Sequence, residues 1–486
     1  MKSLANKVQL ISYADSLGGN LRALRETLDR HFPAMFSVLH ILPPFLSSGD
    51  RGFAPLCYTE IDSTFGTWDD IDALGKKYSI LVDLMVNHIS KNSPQFQDFL
   101  RNGRDSAYAD YFITLDKLWP SGIPNQDDLD KVYLRRPRPY SEYKVKTGIK
   151  EKVWTTFGIE DPSEQIDLDV HNPKVLEMFE EIFAFFSRHC IRLIRLDAVG
   201  YVIKKMGTSC FLVEPEFQQF LSWVKKAAGK YDIQLLCEIH AELKIQNMIA
   251  KEGYWIYDFA LPYVVLETLL LGRSGLLYRV LQDRPYNQFT TLDCHDGVPV
   301  KPDLDGIADL EHVRQVCAIC EERNSHFTRI VSEKHKGPDG FDVHQICGSY
   351  YSMLNNDDAY IAARAIQFFV PGIPQLYYVG LLAGGNDNER LLLTGDIREA
   401  NRHNFTADEI NAAVQKPVVR RLHKLIQFRN SHCAFNGTFH AKETSQDKVD
   451  FLWEKESEYC SLHIDLTTYQ SRIIYTDNGN RESLII

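Results

Sequence analysis

The sequence predicts an α/β chain, a (β/α)8 TIM barrel with an inserted subdomain after strand three, a smaller insertion after strand seven and a small C-terminal β-domain. Three observations lead there. First, four mostly apolar runs of strand length each finish on ionisable or polar side chains: Ile80 to His88, Ile191 to Val199, Gln234 to His240 and Phe289 to Gly297. Strands buried on both faces read as near-continuous apolar runs, and barrels of this kind place their reactive groups at the strand ends. Second, segments of helical periodicity alternate with these runs, as βα repetition requires. Third, 486 residues suit a barrel of about 250 residues plus insertions and an appended domain.

In chain order, Val8 to Tyr13 is strand one, and a Gly18-Gly19-Asn20 turn leads into a helix from Leu21 to Phe32. Val38 to Phe45 is strand two, stopped by Pro43 and Pro44. A helix from Trp68 to Lys77 precedes the third strand, which ends at Asn87-His88. The alternation then breaks over 90–165, a stretch rich in Asp, Lys, Pro and Tyr and too long for a plain loop. Ile166 to Asp169 is expected to restore the barrel, with a helix from Pro173 to Arg188 behind it. Asp197 and Glu238 end strands four and five, Tyr254 to Phe259 is the sixth, Asp296 ends the seventh, and Ala365 to Tyr378 contains the eighth. The expected division is barrel over 1–89, 166–297 and 346–430, insertions over 90–165 and 298–345, and a β-domain over 431–486.

The bulk properties exclude several classes. A hydrophobic fraction of 44% supports a sizeable core rather than disorder. A net charge of −11 argues against nucleic acid or an anionic membrane as partner, so an anionic substrate would need a local basic patch. Cys317 and Cys320 form C-x-x-C without a second pair at zinc spacing, so no metal is expected there. Met1 to Lys7 leads straight into a strand-like run, with no signal peptide, and no apolar stretch approaches the ~20 residues of a membrane span. A cytoplasmic protein with reduced thiols is expected, as a monomer or homodimer.

Within the fourth run, Arg195 and Asp197 are two residues apart and share one face of a strand. A buried ion pair is the plain reading of one such pattern, but carboxylates recur at the ends of strands four, five and seven. Asp197, Glu238 and Asp296 could supply a nucleophile, an acid/base and a charge stabiliser, the set that cleaves a glycosidic bond with retention. The motifs Asp83 to His88, Arg195 to Tyr201, Glu238 with His240, and His295-Asp296 resemble glycoside hydrolase family 13, the α-amylase clan. The resemblance implies Asp197 as nucleophile, Glu238 as acid/base and Asp296 as transition-state stabiliser. It implies Asp50 and Arg402 as grips on glucose hydroxyls, His88 and His295 as hydrogen bonders, Arg195 as the orienter of Asp197, and Phe53 and Phe157 as apolar walls. In amylases the Asn of the Asn-His motif binds calcium; partner ligands are not evident here, and Asn87 is assigned no metal.

Ile373 to Gly384, Asn401-Arg402-His403, Gln165 to Asp169 and Tyr257 to Pro262 narrow the resemblance to the sucrose phosphorylase subfamily over nearly the whole chain. Gln165, His240, Asp342 and Gln345 then fall among the implied substrate-binding positions, and no cofactor is implied. On the acceptor side, Tyr133 to Pro139 packs Arg135, Arg136 and Arg138 into four positions. Asp342-Val343-His344-Gln345 carries His where plain sucrose phosphorylases usually have Tyr, and Lys301 follows strand seven. These features resemble the branch acting on sucrose 6′-phosphate, with Arg135, Arg136, His344 and Lys301 as the phosphate site. Inorganic phosphate and a sugar phosphate are the expected partners, giving α-D-glucose 1-phosphate and fructose 6-phosphate. Phosphorolysis of unphosphorylated sucrose or another α-glucoside is the alternative, and hydrolysis by an α-glucosidase needs the same three carboxylates. A non-catalytic barrel would show a missing carboxylate, and all three are present.

Overall fold

The computed structural model describes residues 4–477 and 479–486. Met1 to Ser3, part of the stretch read as lacking a signal peptide, lie outside the described residues. Eight parallel strands close a barrel: β1 (Gln9–Ser12), β2 (Val38–Ile41), β3 (Ser79–Met85), β4 (Ile191–Asp197), β5 (Gln234–Cys237), β6 (Trp255–Asp258), β7 (Gln288–Thr290) and β8 (Ile373–Tyr377). Their neighbour order is β1-β8-β7-β6-β5-β4-β3-β2. The chain divides into two compact units, described in turn.

The unit formed by Ile41–Ile239 and Ile330–Asp342 holds β3, β4 and β5. β4 is flanked by β3 and β5 in parallel register, with Asp83 opposite Arg195 and Met85 opposite Asp197. Every β4 residue except Arg192 is buried, as expected of its apolar run. The long insertion begins and ends on one antiparallel pair, His88–Ser90 against Gln165–Asp167. This corrects the expectation that Ile166 to Asp169 restores the barrel. Those residues close the base of the insertion instead, with Leu168 N–H donating to the Asn87 carbonyl, and the barrel resumes at Ile191. The insertion has its own core, Ile113, Leu115, Trp119, Val132 and Trp154, joined by Cys210. Burial of those large side chains explains how a polar segment stays ordered.

The other unit, Met1–His40, His240–Arg329 and Val343–Ile486, contains β1, β6, β7 and β8 in the parallel order β1-β8-β7-β6. Strand seven is shorter than predicted. Only Gln288–Thr290 pair, because Thr291 Oγ1 turns back to the Asp293 carbonyl and the Asp293 carboxylate is drawn to Arg364 Nη2 at 2.7 Å. A three-stranded sheet, with Val343–Cys347 between Val298–Pro299 and His326–Arg329, follows β7. The C-terminal five-stranded antiparallel sheet runs in sequence order, and Val449, Phe451 and Trp453 alternate inward along its second strand. Trp453 Nε1–H donates to the Phe369 carbonyl at 2.6 Å. No helix among the described residues is long and apolar enough to cross a membrane.

Candidate active site

Four charged side chains meet at the end of β4. Arg195, almost fully buried, places Nη1 2.5 Å from Asp83 Oδ1 and 3.0 Å from Asp197 Oδ1, and Nη2 2.7 Å from Glu238 Oε1. Strand geometry produces this: Arg195 and Asp197 share a face, Asp83 is Arg195's cross-strand partner, and Glu238 follows β5 directly. Glu238 is held a second time by the Ala198 N–H, 2.8 Å from Oε2. Ala198 has φ of +52°, in the left-handed region that disfavours a Cβ, so the backbone after Asp197 is bent at some strain to aim that N–H. Three of the expected groups, Arg195, Asp197 and Glu238, are thus together, and Asp83, which opens the Asp83 to His88 motif, joins them.

Beside this cluster lies an aromatic wall. The Arg195 guanidinium carbon is 5.7 Å from the Phe53 ring centroid. The Phe53 carbonyl accepts from His88 Nε2 at 2.9 Å and from Gln165 Nε2 at 3.2 Å, while Gln165 Oε1 is buried with no protein partner. His88 is therefore pinned by protein at Nε2, and burial lowers its pKa. Phe157 packs on His88 and Tyr201, and Arg135 lies over the Phe157 ring at 5.7 Å. Asp50 opens a turn in which Asp50, Arg51 and Gly52 all have positive φ. A Cβ on Gly52 would meet the Pro43 carbonyl oxygen at 2.3 Å, so only glycine fits there. Asp342 gives its carbonyl to Ile330 N–H.

The basic run divides. Arg135 and Tyr201 line one cleft with Tyr133 and Thr156. Arg136 is drawn into the insertion: Nη1 donates to Ser141 and Thr155, and Nη2 to the Glu160 carbonyl at 2.8 Å. Arg138 pairs with Asp161. Both Arg136 Nη groups, expected on phosphate, hold the insertion together. A further group went unread from sequence. The Lys204 side chain is 1% exposed, and its Nζ sits 2.7 Å from Asp167 Oδ2 and 2.5 Å from Asn87 Oδ1. Its ammonium supplies positive charge beside Asn87.

In the other unit, Asp296 Oδ1 is 3.8 Å from both Arg398 Nη1 and Arg402 Nη2, and Oδ2 is 3.6 Å from His295 Nε2. Arg402 is itself oriented by the His295 carbonyl at 2.7 Å and by Glu399 at 3.3 Å. Arg398 was not anticipated. Cys294, His295 and Asp296 keep their donor atoms within 4.8 Å of one another, but two guanidinium groups at Asp296 oppose a cation there. Farther along, His240 stacks on Phe259 at 4.0 Å and gives Nδ1–H to Asp303 at 3.2 Å. His344 gives Nδ1–H to the Lys301 carbonyl at 2.5 Å, while Lys301 Nζ pairs with Asp305. Lys301, expected to offer its ammonium to phosphate, offers a carbonyl to His344 instead. Gln345 is buried in the strand opposite Pro299.

Residues 13–257 match the family described as alpha amylase, catalytic domain. The chain is 55% identical over 482 residues to sucrose 6(F)-phosphate phosphorylase of Thermoanaerobacterium thermosaccharolyticum, covering 99% of both chains. It is 42% identical to sucrose phosphorylase of Streptococcus mutans serotype c, covering 89% of both. The crystal structure of sucrose 6F-phosphate phosphorylase from Thermoanaerobacter thermosaccharolyticum superposes with a TM-score of 0.98 over 100% of this chain and 99% of that one, at 55% identity. With the barrel, the carboxylate-bearing strand ends and these matches in hand, the chain belongs to glycoside hydrolase family 13 and, within it, to the sucrose phosphorylase subfamily.

Proposed function

We propose that the protein catalyses retaining phosphorolysis of sucrose 6′-phosphate. In the first step an Asp197 oxygen attacks the glucosyl anomeric carbon, the bond to the fructosyl oxygen breaks, and Glu238 gives that oxygen its proton, releasing fructose 6-phosphate. In the second, an oxygen of inorganic phosphate attacks the same carbon, the ester to Asp197 breaks, and the phosphate's proton goes to Glu238. The product is α-D-glucose 1-phosphate, with Asp197 ionised and Glu238 protonated as at the start. The observation that carries the reaction class is Arg195 joining Asp197 and Glu238. Asp296 is the third carboxylate, and Asp50 and Arg402 grip the glucose. The donor is supported by the 55% identity to a relative named for it, and by His344. Arg135 over Phe157 and His344 are the phosphate-binding groups favoured by their surroundings. The ten cysteines are all free thiols, which supports a reducing cytoplasm and substrates supplied there. We assign no cofactor, and an assembly no larger than a homodimer.

A second reading, phosphorolysis of plain sucrose, is favoured by one observation: Lys301 and both Arg136 Nη groups are already held by protein. The test of the reaction class is product analysis with and without phosphate. Glucose 1-phosphate that appears only with phosphate supports phosphorolysis; free glucose formed at the same rate with or without phosphate overturns it.

A further inference from the structure

Three consecutive residues bear on the turn that presents Asp296. Asn401 Nδ2–H donates to the Cys294 carbonyl at 3.0 Å, and Arg402 Nε–H to the His295 carbonyl at 2.7 Å. Both side chains are buried, so the backbone leading into Asp296 is held twice in succession. The third residue, His403, lies between two carboxylates. Its Nδ1 is 2.6 Å from Asp387 Oδ2 and its Nε2 is 3.0 Å from Glu409 Oε1. Each carboxylate uses its other oxygen to cap a helix. Asp387 Oδ1 accepts from Arg390 N–H at 2.9 Å, opening the helix Asn388–Thr394. Glu409 Oε2 accepts from Thr406 N–H at 2.7 Å and Thr406 Oγ1 at 2.8 Å, in the capping box of the helix Ala407–Ala413. One imidazole thus ties together the starts of the two helices that flank Arg402 in sequence. Asp387 N–H also donates to the Ala400 carbonyl at 2.8 Å, which closes a loop carrying Arg398 and Glu399. Arg398 Nη1 is 3.8 Å from Asp296, and Glu399 holds Arg402 at 3.3 Å.

We propose that His403 is a positioning residue for Asp296. By bridging Asp387 and Glu409 it fixes both ends of the segment from which Arg398, Asn401 and Arg402 hold the Asp296 turn. The proposal rests on the reading of Asp296 as the third carboxylate of a glucosyl transfer. Ionised carboxylates only accept hydrogen bonds, so the ring serves both of them with a proton on each nitrogen. Hydrogen bonds between charged groups are stronger than neutral ones. An ion pair in open water contributes little. This one is more sheltered, with the His403 side chain 31% exposed and that of Asp387 15%. All four oxygens of the two carboxylates are engaged, so loss of the ring loosens two helix starts at once. The Phe405 ring, edge-on to His403 at 4.7 Å, borders the imidazole. Alignment is what such a strut supplies, and a displacement of about 1 Å at a reacting centre costs on the order of 100-fold in rate.

The test is His403→Phe in the full chain, which keeps a ring against Phe405 and removes both hydrogen bonds. Expected is a fall of at least about tenfold in kcat/KM, alike for sucrose and α-glucosyl fluoride, because Asp296 serves the glucosyl carbon and not the leaving group. KM for inorganic phosphate should change by less than about threefold. His403→Gln, whose NH2 still donates to a carboxylate, should recover at least about threefold of the loss. A lower melting midpoint with unchanged kcat/KM makes the bridge purely structural and overturns the proposal. So does a loss confined to sucrose, a rise in KM for phosphate alone, or a loss that glutamine does not relieve. If His403→Phe does not fold, Asp387→Asn, which weakens one end of the bridge, must lower the same kcat/KM values by at least about threefold; no fall overturns the proposal. If the wild type releases free glucose at the same rate with or without phosphate, phosphorolysis fails as the reaction, while the fluoride arm still decides the role of His403.

Discussion

Arg195 Nη2 lies 2.7 Å from Glu238 Oε1, so the guanidinium that orients Asp197, the proposed nucleophile, also holds Glu238, the proposed acid/base. One cation here serves three carboxylates, those of Asp83, Asp197 and Glu238, in a nearly dry setting. Carboxylates held in this way suit a transition state with positive charge on the anomeric carbon, because preorganised charges act more strongly where water is excluded.

Glu238→Gln removes the proton donor but leaves the Arg195 contact to an amide oxygen. Transfer from sucrose or its phosphate is expected to fall at least ~10²-fold, while α-glucosyl fluoride, whose leaving group needs little acid help, still glucosylates the enzyme. Burst-phase fluoride release checks this. Equal losses with both donor types contradict the acid role.

Asp197→Asn is expected to lower kcat by at least ~10³-fold, because no glucosyl ester can form. Intact-protein mass spectrometry of quenched wild type should show one added glucosyl group, and the variant none. Turnover near wild type in the variant removes Asp197 from its role.

Lys204→Met leaves the Asp167 carboxylate at zero exposure without its cation, although Thr156 and Asn87 still donate to it. The expected loss is about 3–5 kcal/mol of stability, typical of breaking a buried pair. Activity should fall as well, because Asn87 precedes His88. Urea unfolding followed by fluorescence checks the stability, and a loss under about 1 kcal/mol refutes the claim.

His423 packs edge-on to Phe32 at 5.0 Å, with Nε2 shielded and without a partner, and burial brings its pKa down to about 4. The unfolded chain binds this proton near the ordinary 6.5, so between those values unfolding takes up a proton. Stability contributed by neutral His423 is whole above pH 6.5 and is lost as pH falls toward 4. In His423→Phe the decline of the melting midpoint over that window should be shallower than in wild type. Identical slopes contradict the assignment.

Much of this was legible because parallel barrel strands write themselves as apolar runs with polar ends. Arg195 and Asp197 could be put on one face from their spacing alone. The strand Gln165–Asp167 misled because two aliphatic residues beside Asp167 and Asp169 look the same in a barrel as in an antiparallel pair. Arg135 and Arg136 are adjacent and turn to different surroundings, which a run of like charges does not reveal. Lys301 meets His344 through a backbone carbonyl, a group every residue has, while its ammonium pairs with Asp305, and neither contact is written in the sequence. Lys204 and Asp303 lie far in sequence from the groups they pair with, and only the fold brings them together.

The donor tests the account most directly. Wild-type kcat/KM for glucose 1-phosphate formation should be measured with sucrose 6′-phosphate and with sucrose at saturating inorganic phosphate. A charge-assisted contact to the sugar's phosphate predicts a preference of at least about tenfold for sucrose 6′-phosphate. Equal values, or a preference for sucrose, would contradict the account and make the protein a sucrose phosphorylase that uses phosphate only as acceptor.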